Sequence, residues 1–203
     1  MAAAALALYG VSLLVTFGLR VGVQVRRTGS TGLKGLSGSP GSIEWLAGVL
    51  FVVSLALGAA SPALVLLGAL DPIATLDGVV GHALGVVLAV AGIALTFGAQ
   101  LAMGDAWRVG VDPEERTQLV TDGPFGLVRN PIYSAMTPTI AGLALMVPTV
   151  LAIAGLICLV VALELQVRMV EEPHLRRAHG DAYVAYGSRV GRFVPGLGFL
   201  SER

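Results

Sequence analysis

The chain has 203 residues, of which 55% are hydrophobic and 13% charged, with a formal net charge of zero and a mean hydropathy of +0.82. A soluble domain is roughly 45–50% apolar, so the composition excludes an ordinary soluble globule. With no basic excess it also gives no reason to expect a nucleic-acid partner. The single cysteine, Cys158, lies in an apolar run; it forms no internal disulfide and reads as a small lipid- or helix-facing residue.

About 20 apolar residues cross a bilayer core as helix, and five stretches qualify in chain order. The first runs from about Ala2 to Val25. Ala2 to Leu19 is uncharged, no Lys or Arg precedes it, and the first, Arg20, comes after it. A secretory signal has the opposite order, so a retained transmembrane helix with its amino terminus outside is predicted. The loop from Arg26 to Ser42 is rich in Gly and Ser; it reads as a flexible linker without chemistry.

The second stretch runs from about Ile43 to Leu57 and stays apolar to Leu70. Pro62 is predicted to kink or end that helix. The third runs from about Val79 to Met103, with Gly85, Ala89, Gly92 and Thr96 at helical spacing. Small residues in register let membrane helices approach closely. His82 and Gln100 lie near the ends of that stripe, and His82 reads as a hydrogen-bonded structural histidine. The fourth stretch, about Ile132 to Val147, is short, and the fifth runs from about Pro148 to Val170. Almost nothing joins these two, so they are expected to form a tight antiparallel hairpin.

Charge orients the molecule. All thirteen Lys and Arg residues cluster in three regions. Arg20, Arg26, Arg27 and Lys34 flank the first loop; Arg108, Arg116 and Arg129 lie in the third; Arg168, Arg176, Arg177, Arg189, Arg192 and Arg203 lie towards the carboxyl terminus. None lies between Asp71 and Asp77 or at the turn Val147-Pro148-Thr149. Five spans with the amino terminus outside put all three basic regions in the cytoplasm, as the positive-inside rule requires. The expected fold is an all-α, polytopic membrane protein with five transmembrane helices and a cytoplasmic carboxyl-terminal helical segment. It divides into residues 1–78, two helices and their loop, and residues 79–203, a core holding the chemistry.

The polar residues of that core meet on one membrane face. Glu164, Arg168 and Glu171 or Glu172 share a helix face by spacing, and charge so close to hydrocarbon is costly unless paired or wet. Arg168 also reads as a helix-end residue paired with its own neighbours. Asp122-Gly123-Pro124 signals a turn. Asn130-Pro131 signals a helix start, with Asn130 as the cap. Arg108 beside Trp107 reads either as an acceptor-binding cation or as an interfacial anchor pair. Asp112 and Glu115 read as solvated loop acids.

Residues 79–200 resemble the isoprenylcysteine carboxyl methyltransferase family of integral membrane enzymes. The resemblance rests on Gly123-Pro-Phe-Gly-Leu-Val-Arg-Asn-Pro-Ile-Tyr133, on Glu171-Glu172, and on Gly180 to Tyr183, Tyr186 and Arg189 to Pro195. The related phospholipid methyltransferases share this carboxyl-terminal layout, and some membrane steroid reductases share part of it. The first two helices show no such match.

The resemblance implies S-adenosylmethionine as methyl donor and no metal. It implies donor-binding roles for Gly123, Leu127, Val128, Arg129, Asn130, Tyr133, Glu171, Glu172, Tyr183 and Tyr186, with Arg189 in the same tail motif. Arg129, Glu171, Glu172 and Arg108 are the residues expected to carry the reaction. The acceptor is expected to be a lipophilic small molecule reached from the bilayer, with no obligatory protein partner. The family has His where this chain has Asn130. An amide takes no proton, and a carboxylate acceptor is already ionised at pH 7, so the change favours an acid acceptor or a base supplied by Glu171 or Glu172. A lipid-amine N-methyltransferase, a membrane reductase and a non-catalytic scaffold stand as alternatives.

Overall fold

The computed structural model describes residues 1–33, 35, 38–110 and 118–201. Lys34, Arg116, Arg203, Asp112 and Glu115 lie outside the described residues. Among the described residues the fold is all-α, and extended pairing is confined to the isolated bridges Leu33 with Val109 and Val128 with Gly191. The helices are α1 (Ala2–Thr28), α2 (Ile43–Leu66), α3 (Val79–Ala102), α4 (Pro131–Met146), α5 (Val150–His179) and α6 (Asp181–Gly187). Two of them carry a π segment, Leu14–Leu19 in α1 and Gln166–Glu171 in α5.

Four helices, α1, α2, α3 and α5, are long and apolar enough to cross a membrane. Helix α4 has 16 residues, a rise of about 24 Å against a hydrocarbon core of about 30 Å. Among the described residues, the five predicted crossings are thus matched by four helices of spanning length and by the shorter α4, laid along α3. The Val147-Pro148-Thr149 turn, expected as a bare connection, is buried. The loop between α2 and α3 covers it, with the Ile73 N–H donating to the Pro148 carbonyl at 2.7 Å. The apex thus lies at the end of the bundle where α3 begins, with Gly81 facing the Leu145 carbonyl and Gly85 facing Met146.

The hairpin helices pack chiefly on other partners, α4 on α3 and α5 on α2. Composition explains both pairings. At α3 and α4, a Cβ added to Gly85 would stand 2.6 Å from the Gly142 carbonyl, and one on Gly142 would stand 2.5 Å from the Gly85 carbonyl. The small-residue stripe is therefore a backbone-to-backbone contact. At α2 and α5, Ser61 and Thr149 share a buried hydrogen bond of 2.7 Å, and Gly155 sits against Leu57 and Ser54. Pro62 does not end α2, which continues to Leu66; a proline so near the carboxyl end disturbs only the last turn. Helix α1 closes the bundle, its Tyr9 hydroxyl donating to the Leu55 carbonyl at 2.6 Å.

Gly142→Ala is expected to lower the unfolding free energy in detergent by about 1–3 kcal/mol, the usual cost of overpacking. Gly98→Ala, which meets nothing within 4 Å, leaves it unchanged; thermal unfolding of both variants checks the contrast.

Candidate functional site

Contacts fix which helix ends meet. The carboxyl ends of α1 and α3 lie together, with Gln24 Nε2 donating to the Asp105 carbonyl at 3.0 Å. The start of α4 meets the end of α5 through Arg129 and Glu172. The polar residues of α4, α5 and the tail therefore collect at one end of the bundle. Asp77 and His82, paired at 2.7 Å, mark the other.

Glu172 is the hub. Its Oε1 accepts from Arg129 Nη2 at 2.7 Å and from Arg192 Nε at 2.7 Å, and its Oε2 accepts from Arg192 Nη2 at 3.0 Å. Glu172 and Arg129 are buried. Such an arrangement is tolerable only because charge and hydrogen-bond geometry are matched. The remaining Arg129 Nη donors reach the carbonyls of Gly187, Val190 and Gly198. The tail is stitched to the start of α4 as well: Arg129 and Asn130 donate backbone N–H to the carbonyls of Gly191 and Arg192. Ser134 Oγ donates to the Phe193 carbonyl at 2.7 Å.

Glu171 has a different environment, although it is the next residue. The π segment directs it to Tyr133, whose hydroxyl donates at 2.6 Å, and to Gln166 Nε2 at 3.3 Å. The charges of Arg108 and Glu172 both reach it. Glu171, Tyr133 and Asn130 are half-buried, at the edge of a packed cluster. Asn130 occupies the cap position of α4, yet its side chain makes no cap bond; its Nδ2 donates instead to the Arg192 carbonyl at 3.2 Å. The amino end of α4 is left without a side-chain cap, a place that suits a negative group.

The other expected site residues are dispersed. Gly123 and Leu127 are exposed, and Val128 is buried at its bridge to Gly191. Tyr186 reaches the Phe125 carbonyl at 2.6 Å and so holds the turn before α4. Tyr183 is buried in a cluster with Tyr186 and Leu200. Burial pushes both phenols up to about 12. The hydrogen bond to Glu172 raises the Arg192 guanidinium above its ordinary range. Arg189 is exposed and bonds within its own helix turn. Arg168 pairs with Glu164 on an exposed face, which settles those two as a helix-surface pair. Trp107 is buried, and the guanidinium over its ring, at 4.5 Å, belongs to Arg20.

Sequence reasoning missed three residues. Arg192 lies inside the tail motif, three residues after the arginine that was chosen. Gln166 sits five residues before Glu171, a spacing that only the π segment makes productive. Arg20 was read as the flank of a span, and it is fully buried inside one.

A family model described as phospholipid methyltransferase matches residues 80–182, just over half of the chain. No curated protein matches it. Among solved structures the chain is similar to a eukaryotic intramembrane Ras methyltransferase, isoprenylcysteine carboxyl methyltransferase, at 19% identity and a TM-score of 0.59. The match covers 97% of this chain and 69% of that one.

Glu172→Ala leaves two guanidinium groups without their carboxylate and is expected to cost about 3–5 kcal/mol of stability. Glu164→Ala, on the exposed pair, costs less than about 1 kcal/mol. Unfolding of the two variants in the same detergent measures the difference. The tyrosines give a pH prediction. A phenol whose folded-state pKa is raised holds its proton more tightly when folded, so its stabilising contribution is complete below about pH 10 and is lost as pH rises through about 12. Stability is expected to fall across that window, and less steeply in Tyr183→Phe.

Proposed function

We propose that this chain, which belongs to the phospholipid methyltransferase family, transfers the methyl group of S-adenosylmethionine to a lipophilic acceptor at the edge of the Glu171 cluster. One observation carries the reading: the amino end of α4 and the carboxyl end of α5 meet, with Tyr133 on Glu171 and Arg129 on Glu172. The donor set fits a zwitterion bearing a sulfonium. Glu171 is a partly exposed carboxylate held by two donors, and the uncapped start of α4 suits a carboxylate. Tyr133 adds an aromatic face at the same edge.

The residues then divide the work. Glu172, Arg129 and Arg192 hold the tail against α4 and fix the wall of the site. Glu171, Tyr133 and Asn130 bind the donor. When bound, S-adenosylmethionine supplies the methyl as an electrophile, and the bond to sulfur breaks with its electron pair staying on sulfur. A carboxylate oxygen of the acceptor forms the new bond, and no proton moves. Arg108, in the segment that follows α3, is the residue proposed to hold the acceptor's acid group. The protein's share of the rate is alignment and exclusion of water.

The basic end is proposed to face the cytoplasm, with the chain in the cell membrane and the acceptor arriving from the lipid. The family supports a second reading, N-methylation of a phospholipid amine. There an amine gives up a proton, and Glu171 is the base within reach.

S-adenosylhomocysteine is expected to bind the wild type and to bind Glu171→Ala at least about tenfold more weakly, the size of one lost charged hydrogen bond. No binding by the wild type at millimolar ligand would end this reading. Methyl transfer from labelled donor in membranes then separates the acceptors, a base-labile ester from an acid and a stable methylamine from a lipid amine.

A further inference from the structure

Five residues spaced four apart, Ser12, Thr16, Arg20, Gln24 and Thr28, form a polar stripe along α1. The first four are buried. This helix lies outside the matched segment, and neither α1 nor the following loop had any chemistry assigned to it. Yet Arg20 is 0% exposed in an apolar span, a placement that is costly unless its contacts compensate. Its contacts show what it does. Nε donates to the Gln100 carbonyl at 3.3 Å and Nη2 to the Gly104 carbonyl at 2.6 Å. These carbonyls end α3, where helix carbonyls lack partners and a cation is favoured.

Gly104 has φ +60, the left-handed conformation that glycine adopts without strain. The chain therefore turns sharply, and Trp107 comes back under the Arg20 guanidinium at 4.5 Å. From the other side, Gly32 closes on the same ring. A Cβ added there would stand 3.0 Å from it, and φ is +71. The Gly32 carbonyl also accepts the Val109 N–H at 2.8 Å. Gln24 holds the Asp105 carbonyl. Arg108 thus sits between two residues pinned from α1 and its loop.

We infer that Arg20 and Gly32 are positioning residues: they clamp Trp107 from two sides and so fix the chain on either side of Arg108. The inference rests on the proposed role of Arg108, and it deepens that role by making the first helix and its loop part of the acceptor site. It also gives a use to a buried guanidinium that pairs with no carboxylate side chain through a described hydrogen bond.

A double-mutant cycle on the full chain tests it. Arg20→Gln and Gly32→Val are each measured alone and combined with Arg108→Ala, reading kcat and KM for the acceptor and the Kd for S-adenosylhomocysteine. Each single change is expected to lower kcat/KM about tenfold, the scale of coupling between interacting residues, with the donor Kd nearly unchanged. In the Arg108→Ala background the same changes should have almost no further effect. Losses that simply add would overturn the inference. Because Arg20→Gln risks misfolding, Gly32→Val, in a loop outside the bundle, carries the test independently. A separate readout needs no activity. In a Trp45→Phe background, Trp107 fluorescence should become more open to acrylamide quenching in both variants, and equal shielding in all three proteins would overturn the clamp. A wild type with no methyl transfer would sink the methyltransferase reading alone, leaving the quenching result to decide the clamp.

Discussion

The pairing of Glu172 with Arg129 and Arg192 is the constraint from which the rest of the polar end follows. Three charges sit in one packed cluster, where an unpaired one would be untenable. Because the partners come from the start of α4, the end of α5 and the tail, satisfying the charges also fixes three remote pieces of chain relative to one another. Glu171 is placed by the same act. It precedes Glu172 by one residue, and the π segment turns it to the partly exposed edge, where it meets Tyr133. Adjacent glutamates thereby differ in character, one locked in ion pairs and the other presented at the surface of the cluster.

A bilayer magnifies every such arrangement. It offers no water to rescue a stray polar group, so the hydrogen bonds made inside the bundle carry structural weight. The buried Ser61–Thr149 bond secures the hairpin apex. The Arg20 contacts end α3 and direct the segment that follows. The same reasoning explains the glycines at α3 and α4. Helices surrounded by lipid gain little from apolar contact alone, and close backbone approach supplies what hydrophobic burial does not.

Much of this was legible in the sequence, for identifiable reasons. Apolar run length marked the helices, and the glycine and alanine stripe marked the face of α3 that packs. The motif around Arg129 and the paired glutamates marked the residues that meet. Depth and partner choice were harder to read. Arg20 looks like a boundary because a charge usually ends a span, and only its contact with the α3 carbonyls shows why it lies within one. The cover over the hairpin apex was not legible, because nothing in Val147-Pro148-Thr149 announces that another loop packs on it. Arg192 was passed over for Arg189 because adjacent basic residues in a tail look alike until the carboxylate they face is known. The register of Gln166 and Glu171 depends on a π segment that no residue in the run signals.

The central claim is that the start of α4 and the end of α5 together form the methyl-donor site. Photoaffinity labelling with an S-adenosyl analogue, followed by peptide mapping, tests it most directly. The account predicts labels on the first turn of α4, around Asn130 to Tyr133, and on α5 between Gln166 and Glu172, both displaced by S-adenosylhomocysteine. Displaceable labels confined to the opposite end of the bundle, around Asp71 to His82, would contradict it.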